Sequence, residues 1–174
     1  MKNNIRTAEN IAYTGLAAAS MTAVKLALSW LANVELVTLF VVFYVFALGA
    51  KRTLVACNIF VCVEIFIYGF APWVVSYFIH WNILTGVIWL LKKREVKKPI
   101  FYALTCAGLT LFFGLQTTIV EVLFFSGGTD FLKAVFLRYF MGITFFAVHI
   151  LSSFFSVLFL LPPLLKLPII KKSN

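Results

Sequence analysis

The sequence predicts an all-α membrane protein, a bundle of six transmembrane helices with both termini cytoplasmic. Three observations predict it. The first is composition. Of 174 residues, 63% are hydrophobic and 12% charged, and the mean hydropathy is +1.02. A soluble domain carries about 25% charged residues; this much apolar surface calls for lipid as a second solvent. The second is pattern. Continuous apolar runs alternate with charges and turn residues, without the two-residue alternation of a membrane barrel. The third is the placing of basic residues. Twelve of the 15 fall at the N-terminus, in two loops and in the tail, all on one side if six helices alternate. Cytoplasmic loops carry that excess.

The elements follow in order. Helix 1, Ile11–Leu31, succeeds the polar stretch MKNNIRTAEN. It contains Lys25 and lacks a small-residue cleavage site, so it reads as a membrane helix and not as a removable signal. Helix 2, Val34–Leu48, falls short of the roughly 20 residues of a full crossing. It is expected to span by snorkelling of Lys51 and Arg52 or by local thinning of the bilayer. Helices 3, 4 and 5 are read at Thr53–Phe70, Trp73–Leu91 and Ile100–Phe125. Helix 6 is read as one run, Phe131–Leu161, ended by Pro162 and Pro163. No fixed-period repeat is present, and residues 1–174 form a single six-helix domain with short basic cytoplasmic tails.

The basic clusters are Lys2 and Arg6, Lys51 and Arg52, Lys92 to Arg94 with Lys97 and Lys98, and Lys166, Lys171 and Lys172. The opposite connections, Ala32–Asn33, Ala71–Pro72 and Ser126–Asp130, contain none. This placing at helix ends, without a basic soluble face, argues against nucleic acid as a partner. The tail is expected to rest on anionic lipid.

With orientation assigned, the intramembrane polar residues acquire a depth, and ionisable groups at such depth are functional candidates. Glu35, Glu64, Glu121 and Asp130 fall in the outer half, with Lys25, Lys133 and Arg138; Gln116 lies about a turn deeper than Glu121. The inner halves are almost free of charge, which suggests an outward-open pocket and not a continuous ion path. On helix 4, Trp73, Tyr77 and Trp81 recur at i, i+4 and i+8 and share one face, flanked by His80 and Asn82. A flat organic ligand would stack on such a wall. Two plainer readings stand beside this one: an aromatic belt at the lipid interface, and charges that simply pair inside the bundle. The substrate-binding candidates are therefore Asn33, Glu35, Glu64, Trp73, Tyr77, His80, Trp81, Gln116, Glu121, Lys133 and Arg138. A second pattern lies on helix 1. Gly15, Ala19 and Ala23 repeat every four residues, extended by Ala12 and Ala27. Small residues let another helix approach closely, either within the bundle or on a separate subunit.

Several chemistries have no support. The chain has no GxxxxGK[ST] phosphate loop, HExxH or GxSxG. His80 and His149 lack ligand spacing, and Cys57, Cys62 and Cys106 read as packed side chains. Gly127–Gly128 reads as a flexible turn. No catalytic residue, metal or cofactor is expected.

Six short helices, the outward polar pocket and the small-residue stripe resemble the substrate-binding S component of an energy-coupling factor (ECF) vitamin transporter. The local matches are Asn33-Val34-Glu35-Leu36-Val37-Thr38, Tyr68-Gly69-Phe70-Ala71-Pro72-Trp73, and Tyr77 with Trp81; Ala19 and Ala23 match the family's AxxxA motif. The resemblance covers most of the chain. It implies a protein without enzymatic activity that captures a micronutrient from outside. Its partners would be a transmembrane coupling subunit, docked through helix 1, and two cytoplasmic ATPase subunits. The protein would topple in the membrane to release its ligand. The Asn-Val-Glu and Pro-Trp segments resemble members assigned to cobalamin or related corrinoids, whereas Lys25 and the outer charges equally suit a smaller polar vitamin, a pyridine or a nucleobase-like compound. Two rival classes are a stand-alone secondary transporter, for which broken helices and a midplane polar track are not evident, and a membrane enzyme, for which no catalytic constellation is present.

Overall fold

The computed structural model describes residues 2–125 and 130–167, with side chains from Thr7 onward. The expected roles of Gly127–Gly128, Lys171 and Lys172, and of the Lys2 and Arg6 side chains, lie outside the described residues. The described residues fold as seven α-helices and no strand: α1 (Lys2–Ala27), α2 (Val37–Ala47), α3 (Ala50–Tyr68), α4 (Pro72–Lys93), α5 (Pro99–Phe125), α6 (Phe131–Met141) and α7 (Ile143–Leu164). Three of them, α4, α5 and α7, are long and apolar enough to cross a membrane, and α2 is a shorter apolar helix.

The distribution of polarity supports lipid as the surroundings. Thr53, Glu64, Ser76, Thr85 and Ser153 are fully buried, while Phe66, Leu132 and Met141 are 89%, 77% and 78% exposed. Water would reverse that pattern. In hydrocarbon, hydroxyls serve best between helices, where they find partners, as Thr110 does by donating to Ser153 Oγ at 3.0 Å.

Helix α2 is the hub. Its sequence, VTLFVVFYVFA, is apolar all round, as a helix surrounded by others must be. It touches α1, α3, α4 and α7, while α1–α3, α3–α4, α4–α5 and α5–α7 contacts link the other helices in an arc around it. Its 11 residues rise only about 16 Å, so the chain reaches the bundle's ends through the loop before it and the turn after it. That turn uses Gly49 and the α3–α4 turn uses Gly69, both at φ +80° with an extended ψ, a region open only to glycine. The α2 C-terminus is served by the basic end. Arg52 Nε donates to the Leu48 carbonyl at 2.8 Å, and Lys92 Nζ reaches the Val45 and Phe46 carbonyls at 3.4 and 3.3 Å.

Two sequence-based expectations are corrected. The sixth helix is not one run. It breaks at Gly142, which ends α6 and begins α7. A Cβ there would stand 2.9 Å from the Phe146 ring, so the close approach of that ring requires a glycine. The helix also does not stop at Pro162. Pro162 and Pro163 sit inside the last stretch of α7, which runs to Leu164. Near a helix end, the missing proline N–H groups cost only two late ladder bonds.

Candidate functional site

A cavity of about 440 Å³ lies at the end of the bundle where α1 ends, α2 begins, α3 ends and α4 begins, opposite the basic loops. The α1–α2 connection forms one side through Ser29, Asn33 and Glu35; Trp73, Tyr77 and Trp81 form another. Asn33 adopts φ +61°, a left-handed conformation that asparagine tolerates and that turns the chain across the cavity.

Glu35 is held from three directions. The Thr38 N–H donates to Oε2 at 3.0 Å, Ser153 Oγ donates to Oε1 at 2.9 Å, and His149 Nε2 lies 3.4 Å from Oε1. Ser152 clasps the same residue's backbone, accepting from its N–H at 3.0 Å and donating to its carbonyl at 2.8 Å. The connection is thereby fastened to α7. Facing it, Lys25 of α1 is paired with Glu64 of α3, whose carboxylate is fully buried. The Lys25 ammonium also lies over four rings: Tyr77 at 4.7 Å, Trp73 at 5.1 Å, Tyr68 at 5.2 Å and Phe60 at 5.9 Å.

The aromatic stripe is a wall of this cavity. Trp73 meets Tyr77 edge-on at 4.9 Å and Tyr77 meets Trp81 edge-on at 5.7 Å. Edge-on contact is a favoured arrangement of aromatic pairs. Trp81 is 3% exposed, and its indole N–H is buried without a hydrogen-bond partner among the described residues.

The eleven candidate binding residues separate into groups. Asn33, Glu35, Trp73, Tyr77 and Trp81 line the cavity, and Glu64 stands behind Lys25. His80 lies behind the wall, packed between Trp81 and Phe113, each at 4.7 Å. Gln116 ties α5 to α4 by donating to the Ser76 carbonyl at 2.9 Å. Glu121 and Arg138 line a second cavity of about 570 Å³, between α5 and the α6–α7 break, which shares Asn33 with the first. Lys133 is exposed on α6, its N–H facing the capping carboxylate of Asp130, and lines neither cavity.

The structure adds Phe60, Tyr68, Lys25 and His149 to the lining. His149, Ser152 and Ser153 had a signal: polar residues at i, i+3 and i+4 on the most apolar of the three long helices share a face. Tyr68 had entered only as the first residue of the Tyr68–Trp73 match, and Phe60 had no signal, because an aromatic in an apolar run carries no mark of the side it faces. Among the described residues, no group of three His, Cys, Asp or Glu side chains gathers as a metal site.

On α1, Ala17, Ala18 and Met21 face the bundle, whereas Ala12, Gly15, Ala19, Ala23 and Ala27 are exposed. The small-residue stripe thus lies on the outer surface, where a Cβ at Gly15 would meet nothing within 4 Å. Comparison of the chain with protein-family models, with curated proteins and with solved structures finds no match.

Proposed function

We propose that this chain is the substrate-binding S component of an ECF-type transporter, which captures a vitamin-sized solute from outside the cell. The observation that carries the reading is the pairing of an aromatic and charged cavity at one end of the bundle with a smooth strip on the outer face of α1. The cavity supplies recognition. The strip supplies a close-approach surface for a transmembrane coupling subunit, itself driven by two ATPase subunits. The six crossings in this reading are α1 to α5 and α7, with both termini cytoplasmic in the cell membrane and α6 a short outer segment beside the second cavity. A volume of about 440 Å³ lies toward the small end of the range for organic ligands. It favours a compact vitamin, pyridine or nucleobase-like solute over a corrinoid, which is several times bulkier.

Orientation has its own test. In a Cys62→Ala background, a cysteine at Lys97 in the basic α4–α5 loop is expected to react only with a membrane-permeant maleimide. One at Ser29, on the cavity, should react with an impermeant reagent on intact cells. Ready labelling of the Lys97 position from outside would reverse the proposed topology. For function, native mass spectrometry of the detergent-purified protein should show a bound small molecule. Cells expressing the chain with an ECF coupling module should take up that molecule in an ATP-dependent manner. Uptake without the coupling module would point instead to a stand-alone transporter.

A further inference from the structure

We propose that the cavity selects a flat organic cation, which takes the place of the Lys25 ammonium among the rings of Phe60, Tyr68, Trp73 and Tyr77, with Glu64 as its counter-charge. This deepens the reading of the chain as a solute-binding subunit and rests on it.

The argument begins with the rings. An ion pair between Lys25 and Glu64 needs no aromatic partner. Yet the ammonium lies 4.7 to 5.9 Å from four ring centroids, all within the roughly 6 Å over which a ring face attracts a cation. The rings come from α3 and α4 and the lysine from α1, so a cage built on two helices is filled by a side chain from a third. Aromatic cages of this kind recognise organic ammonium and heteroaromatic cations.

Charge points the same way. Among the described residues Lys25 is the one Lys or Arg of the cavity lining, which also holds Glu35 beside His149, and Glu64 stands behind it. Glu64 is fully buried, with Oε2 on Lys25 and Oε1 without a hydrogen-bond partner among the described residues. An anionic ligand would meet a cation already paired and two negative groups. A cationic ligand inherits the cage and the Glu64 charge while the lysine side chain, 23% exposed, withdraws toward the cavity mouth. Aromatic ring faces favour a planar body, which can stack on them.

Three near-isosteric probes separate the charge classes: 1-methylquinolinium, neutral quinoline at pH 7.5, and 2-naphthoate. They are titrated calorimetrically into the purified protein in nonionic detergent, against protein-free micelles. The cation is expected to bind at least about tenfold more tightly than either of the others. Glu64→Gln should weaken it by about tenfold or more, and Lys25→Met, which removes the competing ammonium, should strengthen it. Tyr68 is half-exposed at the rim, so Tyr68→Leu spares the core and should weaken binding by about two- to fivefold. Preferred binding of 2-naphthoate, abolished by Lys25→Met, would overturn the proposal and leave a solute-binding subunit of the opposite charge class. Binding of none of the three would overturn it as well, while uptake through the coupling module decides the S-component reading separately.

Discussion

Replacing Ala19 and Ala23 together by phenylalanine should abolish uptake while leaving ligand affinity within about twofold of the unaltered protein. Both positions are on the outer face of α1, and neither lines the cavity. The bundle therefore tolerates the added rings, which project away from Ala17, Ala18 and Met21 in the core. A docked partner does not tolerate them. Small residues matter in such interfaces because they let helix backbones approach closely. Overpacking costs about 1–3 kcal/mol per site, so two sites weaken the assembly by roughly 30-fold or more. Capture of the coupling subunit on immobilised protein, with ligand titration in parallel, separates the two surfaces. Intact uptake would exclude α1 as the coupling face. Loss of ligand binding together with uptake would place the stripe in the bundle's own packing.

Truncation of Trp81 to alanine should have the largest effect on the cavity itself. The side chain is 3% exposed and meets Phe60, Tyr77 and His80. Removing it takes away a stacking surface worth about 0.5–1.5 kcal/mol beyond its buried area, together with that area. Affinity should fall by well over tenfold. It also leaves a hole where four rings met, at about 3–5 kcal/mol in stability, so lower yield and a lower melting temperature are expected. Trp81→Phe keeps a ring and should recover most of the binding. Titration of the solute identified by mass spectrometry into both variants decides the matter. Unchanged affinity in Trp81→Ala would remove this wall from the site and leave it as bundle core.

The sequence by itself determined the helical class and four helix positions, α2 to α5, to within a turn, while α1 begins nine residues before the expected Ile11. These are properties of local composition. An apolar run between charges has few alternatives in lipid, because every backbone polar group must be satisfied within the segment, and a four-residue spacing places Trp73, Tyr77 and Trp81 on one face wherever that face points. The weaker marks misled. Gly142 carried no reading of its own inside the apolar run, and the need for a glycine there follows from the Phe146 ring packed where a Cβ would be. Pro162 looked like a stop, yet so late in α7 its missing bond costs little.

Only the tertiary structure decided which of the spaced polar groups meet. Lys25 and Glu64 are separated by 39 positions and Glu35 and Ser153 by 118, so no local rule could pair them, and nothing local could divide Glu121 and Arg138 from the aromatic wall into a second cavity. The same holds for direction. Ala18 and Ala19 are adjacent and chemically identical, yet one is core and the other surface. Which face of α1 turns inward is set by the fit of Ala17, Ala18 and Met21 within the core that α2 and α3 build beside it, and that fit is a property of the neighbours.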